Sequence, residues 1–222
     1  WKFEGKTSKN FDKHVSKSVP LYNEGHEIIA NLSQFFVSNK SVCLDIGCST
    51  GTLIEKIVKN NKKKDFNIIG IDSIKSMIDI SKKKLKKYSQ VKLKCTDITK
   101  FKFKKCDLIT SYYTIQFIHP KMRQIVIDKI YENLNWGGAF IIFEKVRSPD
   151  ARFQDIISQL YNEYKLSNGY NKDEILSKTL SLKGVLEPFS TQGNLDLLKR
   201  AGFVDIMTIS KYLCFEGFLA IK

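Results

Sequence analysis

From Ser41 onward, short apolar runs alternate with stretches whose apolar residues recur every three or four positions. That alternation predicts a mainly parallel sheet with helices packed on it. Strands are expected at 42–46, 67–71, 91–95, 108–113 and 139–143. Between them, Leu53, Ile54, Ile57 and Val58 mark one helix face, and Ile74, Met77, Ile78 and Leu85 mark another. A helix over 121–134 places Met122, Val126, Ile130 and Leu134 on one stripe, with Gly137-Gly138 as its expected stop. A short helix at 195–201, ended by Gly202, leads into two last strands near 203–210 and 213–221.

Two stretches fall outside the alternation. Residues 8–37 read as two helices split by Pro20. Residues 150–190 hold an amphipathic helix (Phe153, Ile156, Ile157, Leu160, Tyr161, Tyr164) and a second helical patch (Ile175, Leu176, Thr179, Leu180). An apolar face with no strand beneath it needs another surface, so this insertion is expected to be a lid, a dimer contact or both. The expectation is one domain over 1–222: cap helices at 1–40, a ligand-binding half at 41–146, the insertion at 147–190, and a closing helix and hairpin at 191–222.

Composition narrows the class. At 222 residues, 42% hydrophobic and 27% charged, the chain reads as globular rather than disordered. Its longest unbroken apolar run, 139–143, is far too short to span a bilayer. No signal-peptide pattern opens it, and a start at Trp1 rather than Met fits a piece of something longer. Five cysteines without a C-x-x-C pair indicate neither a disulfide framework nor a zinc knuckle, and the three histidines are far apart in sequence. No metal site is expected, and a reducing, cytoplasmic setting fits best. The net charge of +14 invites a nucleic-acid reading. Yet only Arg123, Arg147, Arg152 and Arg200 are arginines, and the lysines spread over the whole chain. Solvated faces explain them better, and nucleic acid is not favoured.

The chemistry gathers at three strand ends. Asp45-Ile46-Gly47-Cys48-Ser49-Thr50-Gly51 lies on a strand–turn–helix, where ligands collect in open α/β sheets. Its G-x-x-x-G spacing is neither the dinucleotide fingerprint nor a P-loop, so the loop faces something other than a polyphosphate. Asp72 closes the second strand, where a carboxylate can accept both ribose hydroxyls, and Asp97 follows the third, within reach of an adenine amino group. Each acid alone could be a turn residue or a helix cap. In order at successive strand ends, the three describe a cradle for S-adenosylmethionine rather than for a nicotinamide dinucleotide.

From about residue 41 to its end the chain resembles the class I S-adenosylmethionine-dependent methyltransferases. Over nearly its whole length it more closely resembles the carboxy-S-adenosylmethionine synthases. That likeness is carried by Lys17-Ser18-Val19-Pro20-Leu21-Tyr22, Asp45-Ile46-Gly47-Cys48-Ser49, Thr114-Ile115-Gln116-Phe117, Asn135-Trp136-Gly137-Gly138-Ala139, Glu144-Lys145, Asn168-Gly169-Tyr170 and Lys199-Arg200-Ala201-Gly202-Phe203. Those enzymes make a carboxylated cofactor from S-adenosylmethionine and prephenate, for a later tRNA wobble-uridine modification. The resemblance implies a Rossmann-like sheet of seven strands with the last reversed, and a homodimer. By position it sets Tyr22, Gly47, Cys48, Ser49, Asp72, Ser73, Asp97 and Ile98 against the cofactor. Asp45, Gly51, Met77 and Tyr112 complete the candidate cofactor set.

Two departures bear on the reaction. An arginine that grips the added carboxylate in that family matches Leu197, and an asparagine ending its fourth strand matches Tyr112. Arginine pairs with carboxylate through two charge-assisted hydrogen bonds, which leucine cannot supply. The expectation is therefore methyl transfer from S-adenosylmethionine to a small molecule, with carboxy-cofactor synthesis as the alternative and RNA methylation as a second. The sulfonium already activates the methyl, so alignment and exclusion of water matter most. If a general base is used, Tyr112, Tyr113 and Glu144 are the candidates, with His119 just beyond. The tyrosines could instead be packing residues, and Glu144 a partner for Lys145 or Arg147.

Overall fold

A computed structural model describes residues 11–222. The expectations for positions 1–10, at the start of the cap, lie outside the described residues. Two helices precede the sheet: α1 (Phe11–Ser18) and α2 (Tyr22–Phe36). They are split at Pro20, with Leu21 in the left-handed region at φ 53°. Then follow β1 (Val42–Ile46), α3 (Thr52–Asn60), β2 (Asn67–Asp72), α4 (Lys75–Leu85), β3 (Val91–Cys95), β4 (Cys106–Tyr112), α5 (Pro120–Asn133) and β5 (Leu134–Lys145). The chain closes with α6 (Ala151–Ser167), α7 (Lys172–Leu182), α8 (Thr191–Ala201), β6 (Asp205–Tyr212) and β7 (Phe215–Ile221).

The seven strands form one sheet in the order β3-β2-β1-β4-β5-β7-β6. β1 pairs in parallel with both β2 and β4, while β7 runs antiparallel to β5 and β6. Strand order reverses between β1 and β4, which makes the carboxyl edge there the natural place for a ligand. Each face of the sheet is covered. Ile29, Ile54, Ile57 and Ile78, from α2, α3 and α4, pack on one face with Cys43 and Leu108. Val126, Ile130 and Leu198, from α5 and α8, pack on the other with Leu44 and Ile109.

One predicted helix stop was misassigned, and two elements run longer than expected, β5 from Leu134 and α8 from Thr191. α5 stops at Asn133 rather than at the glycine pair, and Gly137 and Gly138 belong to β5. There Gly137 N–H donates to the Lys222 carbonyl at 2.7 Å and Lys222 N–H to the Gly138 carbonyl at 3.0 Å, so tertiary pairing takes up what the sequence offered as a helix stop. The buried stripe of α5 is accordingly Arg123, Val126, Ile127 and Ile130, with Leu134 already in the strand.

The insertion docks by its aromatic side. Asp150 caps α6 by accepting from Phe153 N–H, and α7 begins with a reciprocal Asn171–Glu174 capping box. Tyr161 turns inward and donates its hydroxyl to the Ser18 carbonyl at 2.8 Å, fastening α6 to α1. Phe153, Ile156 and Leu160 stay exposed on α6, as do Leu176 and Leu180 on α7. α1 is also tied to the sheet side: the Asp12 carboxylate accepts from the hydroxyls of Thr50 and Thr52 and from the Lys84 ammonium.

Candidate active site

A cavity of about 1040 Å³ opens at the carboxyl ends of the central strands, roofed by α1, α6 and α7. Its floor is the turn after β1. Gly47 takes φ 72°, and a Cβ there would collide with the Thr114 side chain, so only glycine fits. The amides of Gly47 and Cys48 both donate to the Ile71 carbonyl, at 2.8 and 2.9 Å, which binds the turn to β2. Ser49 lies beside them on the cavity wall, its hydroxyl 3.6 Å from the Met77 sulfur.

Asp45, Asp72 and Asp97 all line this cavity, in three different states. One Asp45 oxygen accepts from the Thr110 hydroxyl at 2.7 Å, and the other has no partner among the described residues. Burial pushes its carboxyl up to about 7. Asp72 accepts from the amides of Ser49 at 2.9 Å and Ile74 at 2.8 Å. Burial raises its pKa, and those two donors oppose the rise. Asp97 caps the short 3-10 turn Ile98–Lys100, and the Thr99 hydroxyl and amide, each at 2.7 Å, hold its carboxyl below the usual range. Ser73 and Ile98 border the same end, and Tyr22 faces it from α2.

Gly51 is the exception among the candidate cofactor residues. It is not on the cavity wall; it starts α3 at φ 77°, where a Cβ would sit 2.7 Å from Leu85. Its role is close packing of the turn on α4.

The three candidate catalytic groups separate. Tyr112 and Tyr113 reach the cavity, and burial raises both phenols. Tyr112 donates its hydroxyl to the Tyr22 carbonyl at 2.7 Å and packs against the rings of Tyr22, His26 and Phe143. It is a brace between β4 and α2. Glu144 does not line the cavity. It is 2% exposed and accepts from the Ile115 amide at 3.0 Å. Burial pushes its carboxyl up to about 8 against the pull of the Arg123 charge and of the amides of residues 114–116. Arg123 in turn donates to the carbonyls of Ile118 and Gln116. Glu144 therefore shapes the 114–118 loop and pairs with neither Lys145 nor Arg147. The strand pattern could not show this, because both faces of β5 are buried. His119, which does border the cavity, caps α5 through its ring nitrogen.

Leu197 also lies elsewhere. It is 4% exposed, sits in the core between α8 and α5, and its carbonyl accepts from the Gln124 side chain. Arg200 is bonded to the same Gln124 at the surface. Neither borders the cavity, so the leucine leaves no gap in this cavity's wall. What the cavity does hold, unforeseen, is cationic: Lys145, Lys165 and Lys178 line it opposite the acids. Only the spacing of Tyr161 and Lys165, one helical turn apart, hinted that Lys165 follows an inward-facing aromatic. His26 was missed as well. It is buried on the cavity wall, its Nδ1 has no partner among the described residues, and burial lowers its pKa to about 4.

The family described as a methyltransferase domain matches residues 43–138. Among solved structures, a putative S-adenosylmethionine-dependent methyltransferase of Methanococcus maripaludis superposes with a TM-score of 0.64, covering 100% of this chain and 94% of that one at 22% identity. Human N-acetylserotonin methyltransferase, solved with S-adenosylmethionine, gives 0.61 over 90% of this chain and 51% of that one at 18% identity. Fold and family together define a class I S-adenosylmethionine-dependent transferase. The carboxy-S-adenosyl-L-methionine synthase of Campylobacter jejuni (serotype O:6) is 39% identical, covering 100% of this chain and 94% of the relative. That of Staphylococcus epidermidis is 38% identical, over 100% and 97%. The chain belongs to the carboxy-S-adenosyl-L-methionine synthase family. Among the described residues, no helix is long and apolar enough to cross a membrane.

Proposed function

We propose that this chain carboxylates S-adenosylmethionine, with prephenate as the carboxyl donor. The observation that carries the reading is the end-to-end likeness to synthases of that name, 39% identical over the whole chain. Methyl transfer to a small acceptor was the first expectation, and it rested on Leu197 and, beside it, on Tyr112 where the family has asparagine. The Leu197 support falls away because that residue is in the core behind the sheet rather than in the cavity wall, while Tyr112 stays on the wall as a brace to α2.

In this reading Asp72 receives the ribose hydroxyls and Asp97 the adenine edge, with Ser73, Met77 and Ile98 as walls. The free oxygen of Asp45 is an orphan acceptor facing the cavity, and it fits a ligand that carries positive charge. The backbone of Gly47, Cys48 and Ser49 takes the close approach, and Tyr22 covers it. The bound reactants supply the chemistry: prephenate gives up its ring carboxyl and hydroxyl and becomes aromatic, the carboxyl carbon bonds to the sulfonium methyl carbon, and the displaced proton leaves with the hydroxyl as water. Tyr112 and Tyr113, with raised pKa values, act as neutral walls and donors rather than as bases.

The test is the mass of the adenosyl product after incubation with S-adenosylmethionine and prephenate. A cofactor heavier by one CO2 is expected; demethylated cofactor with no heavier species would return the reading to methyl transfer. Two further proposals accompany it. A cytoplasmic setting suits the five free cysteines. A homodimer would cover the exposed row Phe153, Ile156 and Leu160 together with Leu176 and Leu180.

A further inference from the structure

The cavity changes sign from one end to the other. Asp45, Asp72 and Asp97 stand at the strand ends, while Lys145 from β5, Lys165 from α6 and Lys178 from α7 stand under the insertion. The ammonium groups of Lys145 and Lys165 lie 4.7 and 4.5 Å from the centroid of one ring, that of Tyr161. Lys178 approaches from the next helix, donating to the Ser18 hydroxyl at 2.9 Å with the Tyr170 ring 5.3 Å away. Lys165 is 5% exposed. Among the described residues, neither Lys145 nor Lys165 has a carboxylate within ion-pair distance.

Two cations against one ring, Lys165 buried and Lys145 half-buried, are costly unless an anion joins them. Cation–π attraction to Tyr161 returns only part of that cost. The surroundings show the strain. Burial first, then the Lys145 charge, brings Lys165 down to about 8, and burial with the charges of Lys165 and Lys145 does the same to Lys178. Lys145 is lowered by burial and by Arg147. The other titratable groups facing them, the Cys214 thiol and the Tyr161 and Tyr170 phenols, are raised by burial and so stay neutral.

We propose that Lys145 and Lys165, flanked by Lys178, are the binding site for the carboxylates of the acidic co-substrate, a small dianionic acid. The inference rests on the synthase reading and deepens it. The acidic end repels a dianion and accepts a cationic cofactor, whereas the lysine end does the reverse. The two reactants are thereby sorted into opposite halves, with the Tyr161 and Phe215 rings packed on each other in the wall beside the lysines.

The experiment is calorimetric titration of prephenate into the full chain saturated with S-adenosylhomocysteine, so that no turnover occurs. Lys145→Met and Lys165→Met should each weaken prephenate at least tenfold and leave S-adenosylhomocysteine within twofold. Lys165→Arg should restore most of the loss. Because each Met variant relieves repulsion between buried like charges, neither should melt below the wild type. At pH 8.5 the wild type should take up protons on binding prephenate, read as a heat that varies with the buffer, and Lys165→Met should reduce that uptake to the share carried by Lys178. Unchanged prephenate affinity in both Met variants overturns the site, and so does an equal loss for both ligands. Loss of the carboxylated cofactor alone, with prephenate retained, would assign the lysines to the product's carboxylate and also overturn it. A wild type that binds prephenate in this charge-dependent way but forms no carboxylated cofactor would sink the synthase reading and leave the site standing.

Discussion

Asp45 has one oxygen satisfied by Thr110 and one facing the cavity without a partner among the described residues. Its folded pKa of about 7 lies above the unfolded value near 4. Between those two values the folded state holds a proton that the unfolded state has released, so stability of the ligand-free protein should fall as pH rises from about 4 to about 7. Glu144, pushed up to about 8, extends the same slope. Thermal unfolding across this range should show the decline, and Asp45→Asn should roughly halve the slope below about 7, leaving the part that Glu144 contributes. A cationic ligand reverses the preference at Asp45. Affinity for S-adenosylmethionine should therefore fall on acidification through about 7 in the wild type, and much less in Asp45→Asn. Asp72→Ala removes the acceptor proposed for the ribose and should cost roughly 2–4 kcal/mol of cofactor binding. It also strips Ser49 and Ile74 of their acceptor, so a stability loss of about 1–2 kcal/mol should accompany it in denaturant titration. Full cofactor affinity in the folded mutant would remove Asp72 from the cradle.

α2 is held against β4 by a close fit. A Cβ on Gly25 would collide with the Tyr112 hydroxyl and lie 3.0 Å from the ring carbon that bears it. Gly25→Ala should thus destabilise by about 1–3 kcal/mol, and Tyr112→Phe alone by about 1 kcal/mol through the lost bond to the Tyr22 carbonyl. The double variant should lose less than the sum, since the phenylalanine frees the space the new methyl needs. Strict additivity would mean that α2 shifts as a whole instead. α1 is fastened through side chains, Asp12 to Thr50, Thr52 and Lys84 on one side, and Tyr161 and Lys178 to Ser18 and Tyr170 to His14 on the other. Its amides, and those of the first turn of α2, should exchange faster without S-adenosylmethionine than with it. Equal exchange over residues 11–25 in both states would count against a covering role.

The outer face of the insertion governs the molecule as a whole. Leu176 and Leu180 are 59% and 62% exposed and Phe153 is 51% exposed, an apolar surface that a second copy would bury. Light scattering at micromolar concentration should give a dimer, and Leu160→Glu should shift it toward monomer with the fold intact. A monomeric wild type would leave the insertion as a roof for its own cavity only.

Which features were legible in advance follows from how local each one is. The α/β alternation, the G-x-x-x-G turn and the three strand-end acids were all readable in the sequence. Periodicity and turn chemistry are local, and parallel strands open their carboxyl ends on one shared edge. Gly51 was read as a ligand residue because a turn glycine looks the same whether it meets a ligand or, as here, Leu85. Glu144 and Leu197 were misjudged for a related reason: a sheet covered on both faces gives its central strands and flanking helices no polar side, so pattern cannot say which way a residue turns. The lysine cluster was the least visible. Lys145, Lys165 and Lys178 come from three separate elements and look like any other lysines in a basic chain. Only the docking of α6 and α7 over the strand ends, settled by long-range packing of Tyr161 and its neighbours, turns them into one wall.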